Sequence, residues 1–143
     1  MLMVKIGRYV VISPCRNEAN YMRQTLDSVI SQSIRPEKWV IVDDGSTDDT
    51  PRILEDYARR NPWIKIVTRE NRGRRAVGHG VIDAFYAGYA TIDSNEYDYL
   101  CKLDLDLRLP PRYFQISTPW WLAPALPVCT CSIGYGAWAC RYA

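Results

Sequence analysis

Two periods of apolar spacing alternate along the first 116 residues. Tyr9-Val10-Val11-Ile12-Ser13 is a short β-rich run, which predicts a buried strand ended by Pro14. From Tyr21 to Gln32 the spacing is helical, with Met22, Leu26, Val29 and Ile30 on one face and Asn20 able to cap its start. Trp39-Val40-Ile41-Val42 predicts a second buried strand, running into the turn chemistry of Asp43-Asp44-Gly45-Ser46. A second helix follows, with Thr50 expected as its cap, Pro51 at its first position, and a stripe of Ile53, Leu54 and Tyr57. Ile64–Thr68 predicts a third strand, and Arg69–Arg75 an arginine- and glycine-rich loop. A helix is expected from about Ala76 to Ile92, although Gly78, Gly80 and Gly88 weaken it. Tyr97–Leu103 predicts a fourth strand, with Asp104-Leu105-Asp106 at its end.

Strands alternating with helices imply an α/β fold with a mainly parallel sheet covered on both faces. Ligands of such sheets bind beyond the carboxyl ends of the strands. Three polar clusters, at 14–18, 43–48 and 104–106, follow strand ends and should meet on one edge. After Ile116 the pattern stops. No charged residue lies between Tyr113 and Ala139, and the last 24 residues hold three of the five tryptophans and three of the five cysteines. Pro119, Pro124 and Pro127, with Gly134 and Gly136, make a membrane-spanning helix a poor reading. The chain thus divides into 1–116 and an atypical apolar tail, 117–143. The abruptness of the change suggests that the native frame is lost near residue 116, so the domain is expected to be incomplete at its C-terminus.

A length of 143 residues allows one domain with a real core. The composition, 48% hydrophobic and 24% charged, is that of a globular protein. A net charge of +2 offers no electrostatic case for nucleic-acid binding. Cys15, Cys101, Cys129, Cys131 and Cys140 form neither a disulfide framework nor a zinc motif, which predicts reduced thiols and a cytoplasmic location. Met1–Arg8 has no long apolar run, which argues against a signal peptide, and membrane association is not evident beyond a peripheral one.

The clusters permit specific chemistry. Two carboxylates at the mouth of a buried strand need a partner, and Mg²⁺ or Mn²⁺ with a substrate diphosphate would supply it. Strand alternation would send Asp104 and Asp106 to opposite faces, so the chain must turn there; solvated loop acids are the plainer alternative. The 43–48 segment suits a turn, and it also suits an acid that accepts hydrogen bonds from a nucleobase or ribose. Arg69, Arg72, Arg74 and Arg75 form either a solvated loop or a nucleotide contact. His79, the only histidine, reads better as structural or exposed than as a base. Neither a dinucleotide GxGxxG nor a P-loop is present, and no Ser-His-Asp or Cys-His pattern supports hydrolysis.

Taken together, Val11–Glu18, Ser28-x-x-x-Gln32, Val42–Asp48, Asn71-x-Gly73, Leu103–Asp106 and Pro110 stand in the order and spacing of a known family. Over about residues 8–115 the chain resembles the nucleotide-binding half of family 2 glycosyltransferases, inverting enzymes of the Rossmann-like GT-A fold that use nucleotide-diphosphate sugars. The resemblance implies that Pro14, Arg16 and Glu18 line the nucleotide pocket. It implies that Asp43 contacts the base, commonly uracil, with Asp44 close by, and that Arg74 or Arg75 lies over the nucleotide. Many members carry an aromatic residue where this chain has Arg16. Asp104 and Asp106 match the family's DxD, with Asp104 toward ribose or sugar and both toward Mn²⁺ or Mg²⁺, Asp106 the more directly. A UDP-sugar donor, a saccharide or lipid-linked acceptor and a role in bacterial cell-surface polysaccharide synthesis are the implied expectations.

The family's general base is an Asp or Glu well after the DxD, and here no acid follows Asp106. No catalytic base is therefore assigned, and weak donor binding without efficient transfer is expected. The alternative is a non-catalytic nucleotide-sugar-binding or partner module. A phosphoacceptor signalling domain also pairs acids with Mg²⁺, but it requires a Lys that this sequence does not place suitably.

Overall fold

The computed structural model describes residues 8–71, 73, 79–93, 95, 97–116 and 137–141. Among the described residues nine elements follow in chain order: β1 (Tyr9–Cys15), α1 (Met22–Ile30), β2 (Lys38–Asp43), α2 (Thr50–Arg60), β3 (Ile64–Thr68), α3 (His79–Tyr89), β4 (Tyr99–Leu103), α4 (Tyr113–Ile116) and β5 (Ala137–Arg141). The sheet order is β3-β2-β1-β4-β5. The first four strands are mutually parallel, and β5 pairs antiparallel with β4. Four parallel strands joined through helices give the α/β architecture that the alternating pattern predicts.

Alternation along each strand divides the core in two. Tyr9 and Val11 of β1, Trp39 and Ile41 of β2, and Tyr99, Cys101 and Leu103 of β4 pack with α1, α2 and Phe114 of α4. The intervening Val10, Ile12, Val40, Val42 and Leu100 pack against Ala84 of α3. Each fully buried Val, Leu, Ile or Phe among them contributes about 1.5–3 kcal/mol of transfer free energy. Gly88 of α3 is where the helix comes nearest the sheet: a Cβ there would lie 2.7 Å from Val42 Cγ2 and 3.0 Å from Ile12 Cγ2. The residue that lowers helix propensity in the sequence thus permits the packing.

Pro14 does not end β1; pairing with β2 continues through Pro14 and Cys15. The carbonyl of Tyr9 accepts from Glu37 on the β2 side, and that of Arg8 accepts from Asp98 and Tyr99 on the β4 side. Even-numbered backbone groups therefore face β4, where pairing has already stopped at Ile12. The missing N–H of Pro14 removes no ladder bond.

Both expected caps are corrected. α1 starts after Tyr21 rather than Asn20, without a side-chain cap; the N–H groups of Tyr21 and Met22 donate to the Glu18 carbonyl instead. At α2, the Thr50 hydroxyl accepts from the Glu18 N–H at 3.0 Å, while Asp48 Oδ1 accepts the Thr50 N–H at 2.9 Å. Pro51 stands in the first turn as expected. α3 begins at His79 and ends at Tyr89, inside the expected 76–92. No helix among the described residues is long and apolar enough to cross a membrane.

Candidate functional site

A cleft of about 310 Å³ opens between the carboxyl ends of β1 and β4 and the first turns of α3. Pro14, Arg16, Glu18, Asp44, Asp104 and Asp106 line it, together with Gly80, Val81 and Ala84 from α3. Residues up to 92 positions apart thus meet because two neighbouring parallel strands end at the same edge. Asp43 sits beneath this surface, 1% exposed, and its Oδ1 accepts the Ser46 N–H at 2.9 Å. Arg74 and Arg75 lie outside the described residues.

Three loops are tied together around Asp44. Arg69 Nη1 donates to Asp44 Oδ1 at 2.9 Å, in a largely buried pair. Arg16 donates through Nη1 to the Asp44 carbonyl at 2.9 Å and through Nη2 to Asn71 Oδ1 at 2.8 Å. Asn17 adopts a left-handed φ of 55°, and its Oδ1 accepts the Thr47 N–H at 2.8 Å. Gly45 has φ +72°, and a Cβ there would lie 2.5 Å from Asn71 Cα, so only glycine lets the two loops close. Of the basic loop Arg69–Arg75, it is Arg69 that meets the Asp44 carboxylate.

The acidic pair is placed from α1. Leu103 ends β4, and the chain turns at Leu105 and Asp106, as the alternation problem requires. Leu105 is buried, and the acids flank it, Asp104 partly covered and Asp106 exposed. Thr25 donates to the Leu105 carbonyl at 2.7 Å and accepts the Leu107 N–H at 2.9 Å. Ser28 Oγ accepts the Leu109 N–H at 3.1 Å, and Gln32 Nε2 donates to the Pro110 carbonyl at 2.9 Å. Gln32 lies just past the end of α1, where its Nε2 also donates to the Ser28 carbonyl at 3.0 Å, so both side chains reach the same segment. Thr25 completes the row; its helical spacing from Ser28 was the signal for it. Asp104 Oδ1 forms an ion pair with Lys102 Nζ.

Cys15 borders the cleft as a buried thiol. Burial pushes its pKa up, and the neighbouring Asp43, Glu18, Asp48 and Asp44 push it further, so it stays protonated and is a poor nucleophile. Among the described residues no three His, Cys, Asp or Glu side chains converge as a closed metal cage. Asp104 and Asp106 nevertheless offer two hard oxygen donors at the cleft. That set fits a divalent cation whose remaining ligands are water and a diphosphate.

A family model described as glycosyl transferase family 2 matches residues 10–117. The glycosyltransferase GlyA of Streptococcus pneumoniae is 32% identical over 96 residues, covering 66% of this chain and 14% of that protein. A poly-β-1,6-N-acetyl-D-glucosamine synthase of Staphylococcus aureus is 29% identical over 93 residues, covering 64% of this chain and 20% of that protein. In the solved structures, the mannosyltransferase PcManGT of Pyrobaculum calidifontis, in complex with GDP-Man and Mn²⁺, superposes with a TM-score of 0.71 at 23% identity. That likeness covers 96% of this chain and 45% of the mannosyltransferase, and it is a likeness of fold.

Proposed function

The chain belongs to glycosyl transferase family 2 and has its GT-A type of fold, and from that premise we propose that its cleft binds a nucleoside diphosphate sugar, a UDP-sugar in the first place. The observation that carries this reading is the meeting of the 14–18, 44 and 104–106 segments in one cleft beyond the strand ends. Asp44, which lines the cleft and is held in place by Arg69, is the acceptor for base N–H groups, and buried Asp43 supports it from beneath. Arg16, fixed at both Nη atoms, forms the wall beside them. Asp104 and Asp106 would hold Mn²⁺ or Mg²⁺, which when bound offsets the charge growing on the departing diphosphate. The reaction so served is transfer of the sugar to an acceptor hydroxyl by a single inverting displacement. A cell-surface saccharide or lipid-linked saccharide is the proposed acceptor; the relative named as a poly-N-acetylglucosamine synthase supports that choice.

An acceptor hydroxyl must also lose its proton to a base. No Asp or Glu follows Asp106 in these 143 residues, and the chain spans 14% and 20% of the length of the two relatives. We assign the described cleft the donor half of the chemistry and name no catalytic base in it.

Calorimetric titration of the purified chain with UDP and with GDP, each with Mn²⁺, tests the proposal. Weak binding of UDP, lost in Asp106→Asn, is the expected result. Tighter binding of GDP would reassign the base, and no binding of either would overturn the donor site. Efficient sugar transfer by the chain alone would overturn the division into halves.

A further inference from the structure

Lys102 lies on β4, two residues before Asp104, with its side chain only 18% exposed. Cys101 and Leu103 belong to the core on the α1 side, so strand alternation places Lys102 on the face covered by α3, beside Leu100. An ammonium at such a site needs a counter-charge, and it has one in Asp104 Oδ1. The acidic pair at the cleft thus carries an internal cation: two carboxylates offset by one ammonium leave a local charge near −1, not −2.

We propose that Lys102 is a positioning residue that fixes the Asp104 carboxylate and makes cation binding at Asp104 and Asp106 depend on the nucleotide diphosphate. The inference rests on the donor-site reading above. With Lys102 present, the two acids attract a divalent ion weakly, and the diphosphate supplies the missing negative charge. The order that follows is nucleotide with or before the cation, rather than the cation first. A unit charge a few ångströms from a divalent ion alters its affinity by roughly tenfold or more even when screened as in bulk water.

The test is Mn²⁺ binding followed by the electron paramagnetic resonance signal of free Mn²⁺, with and without UDP, in the whole chain and in Lys102→Met, Lys102→Gln and Lys102→Arg. Thermal unfolding establishes which variants fold, and Lys102→Gln carries the comparison if Lys102→Met does not. The expected result is free Mn²⁺ bound roughly tenfold more tightly by the neutral variants, with the gain on adding UDP correspondingly smaller. Lys102→Arg should behave as the parent chain. A side chain of merely structural value would give equal or weaker Mn²⁺ binding when removed, and that outcome overturns the inference. If the parent chain binds Mn²⁺ with UDP but the neutral variants do not differ from it, the inference alone fails. If no form binds Mn²⁺ even with UDP, the donor-site reading fails and takes the inference with it.

Discussion

Asp43 shows how a single buried carboxylate shapes the cleft. It is 1% exposed, yet it lies at the end of β2, where its Oδ1 accepts the Ser46 N–H and its carbonyl accepts the Arg69 N–H. One residue therefore closes the 43–48 loop and joins it to the loop after β3. Asp43→Ala would leave the Ser46 N–H without its acceptor and should cost about 1–3 kcal/mol, read as a lower urea midpoint with unchanged slope. The sequence marks Asp43 as chemically interesting, but the turn signal of Asp-Gly-Ser is equally satisfied by an exposed acid. Burial separates the two uses. Arg69 and Lys102 are harder to find: their importance lies in which acid each one meets, and neither partner is fixed by spacing alone.

At the scale of the elements, α1 and α3 play different parts around the site. α1 and the residues just past its end carry a row of buried polar side chains, Thr25, Ser28 and Gln32, that hold the chain from Leu105 to Pro110. α3 brings its first turns to the cleft wall and its Gly88 onto the sheet. Gly88→Val would drive a branched side chain into Val42 and Ile12, which are both fully buried. Overpacking of this kind costs about 1–3 kcal/mol, and the shift should appear in thermal unfolding together with weaker UDP binding, because the cleft wall moves with the helix. The amphipathic pattern locates α1 and α2, the two helices for which a cap was expected. It misplaces their starts because capping follows the fold: Asp48 takes the Thr50 N–H while the Thr50 hydroxyl is drawn to Glu18.

For the whole molecule, the parallel sheet buries ionisable groups at its centre. Cys101 on β4 has its thiol pKa pushed up to about 12 by burial, with Lys102 opposing. Burial and the Cys101 charge also push the Tyr9 hydroxyl upward. A raised pKa means that the unfolded state loses its proton first, so this stability is fully present below pH 9.0 and is lost as pH rises toward about 12. Urea midpoints should therefore hold steady up to about pH 8 and fall by pH 10, and Cys101→Ala should flatten that fall. An unchanged midpoint at pH 10 would mean that the thiol is not buried as described.

The order of strands and helices, the burial of the strands and the three polar clusters after strand ends were determined by the sequence. Period and turn chemistry are local properties, and 9–116 carry them plainly. The family resemblance, too, was legible in residues that stand in a fixed order. Only the tertiary structure decided that β1 and β4 are neighbours, which brings Pro14–Glu18 and Asp104–Asp106 to one cleft. It also decided that Pro14 continues its strand, that Arg69 meets Asp44, and that Lys102 meets Asp104. The physical reason is common to all of these. Local spacing sets which face a side chain occupies, whereas the partner it finds there depends on which strand lies next to its own.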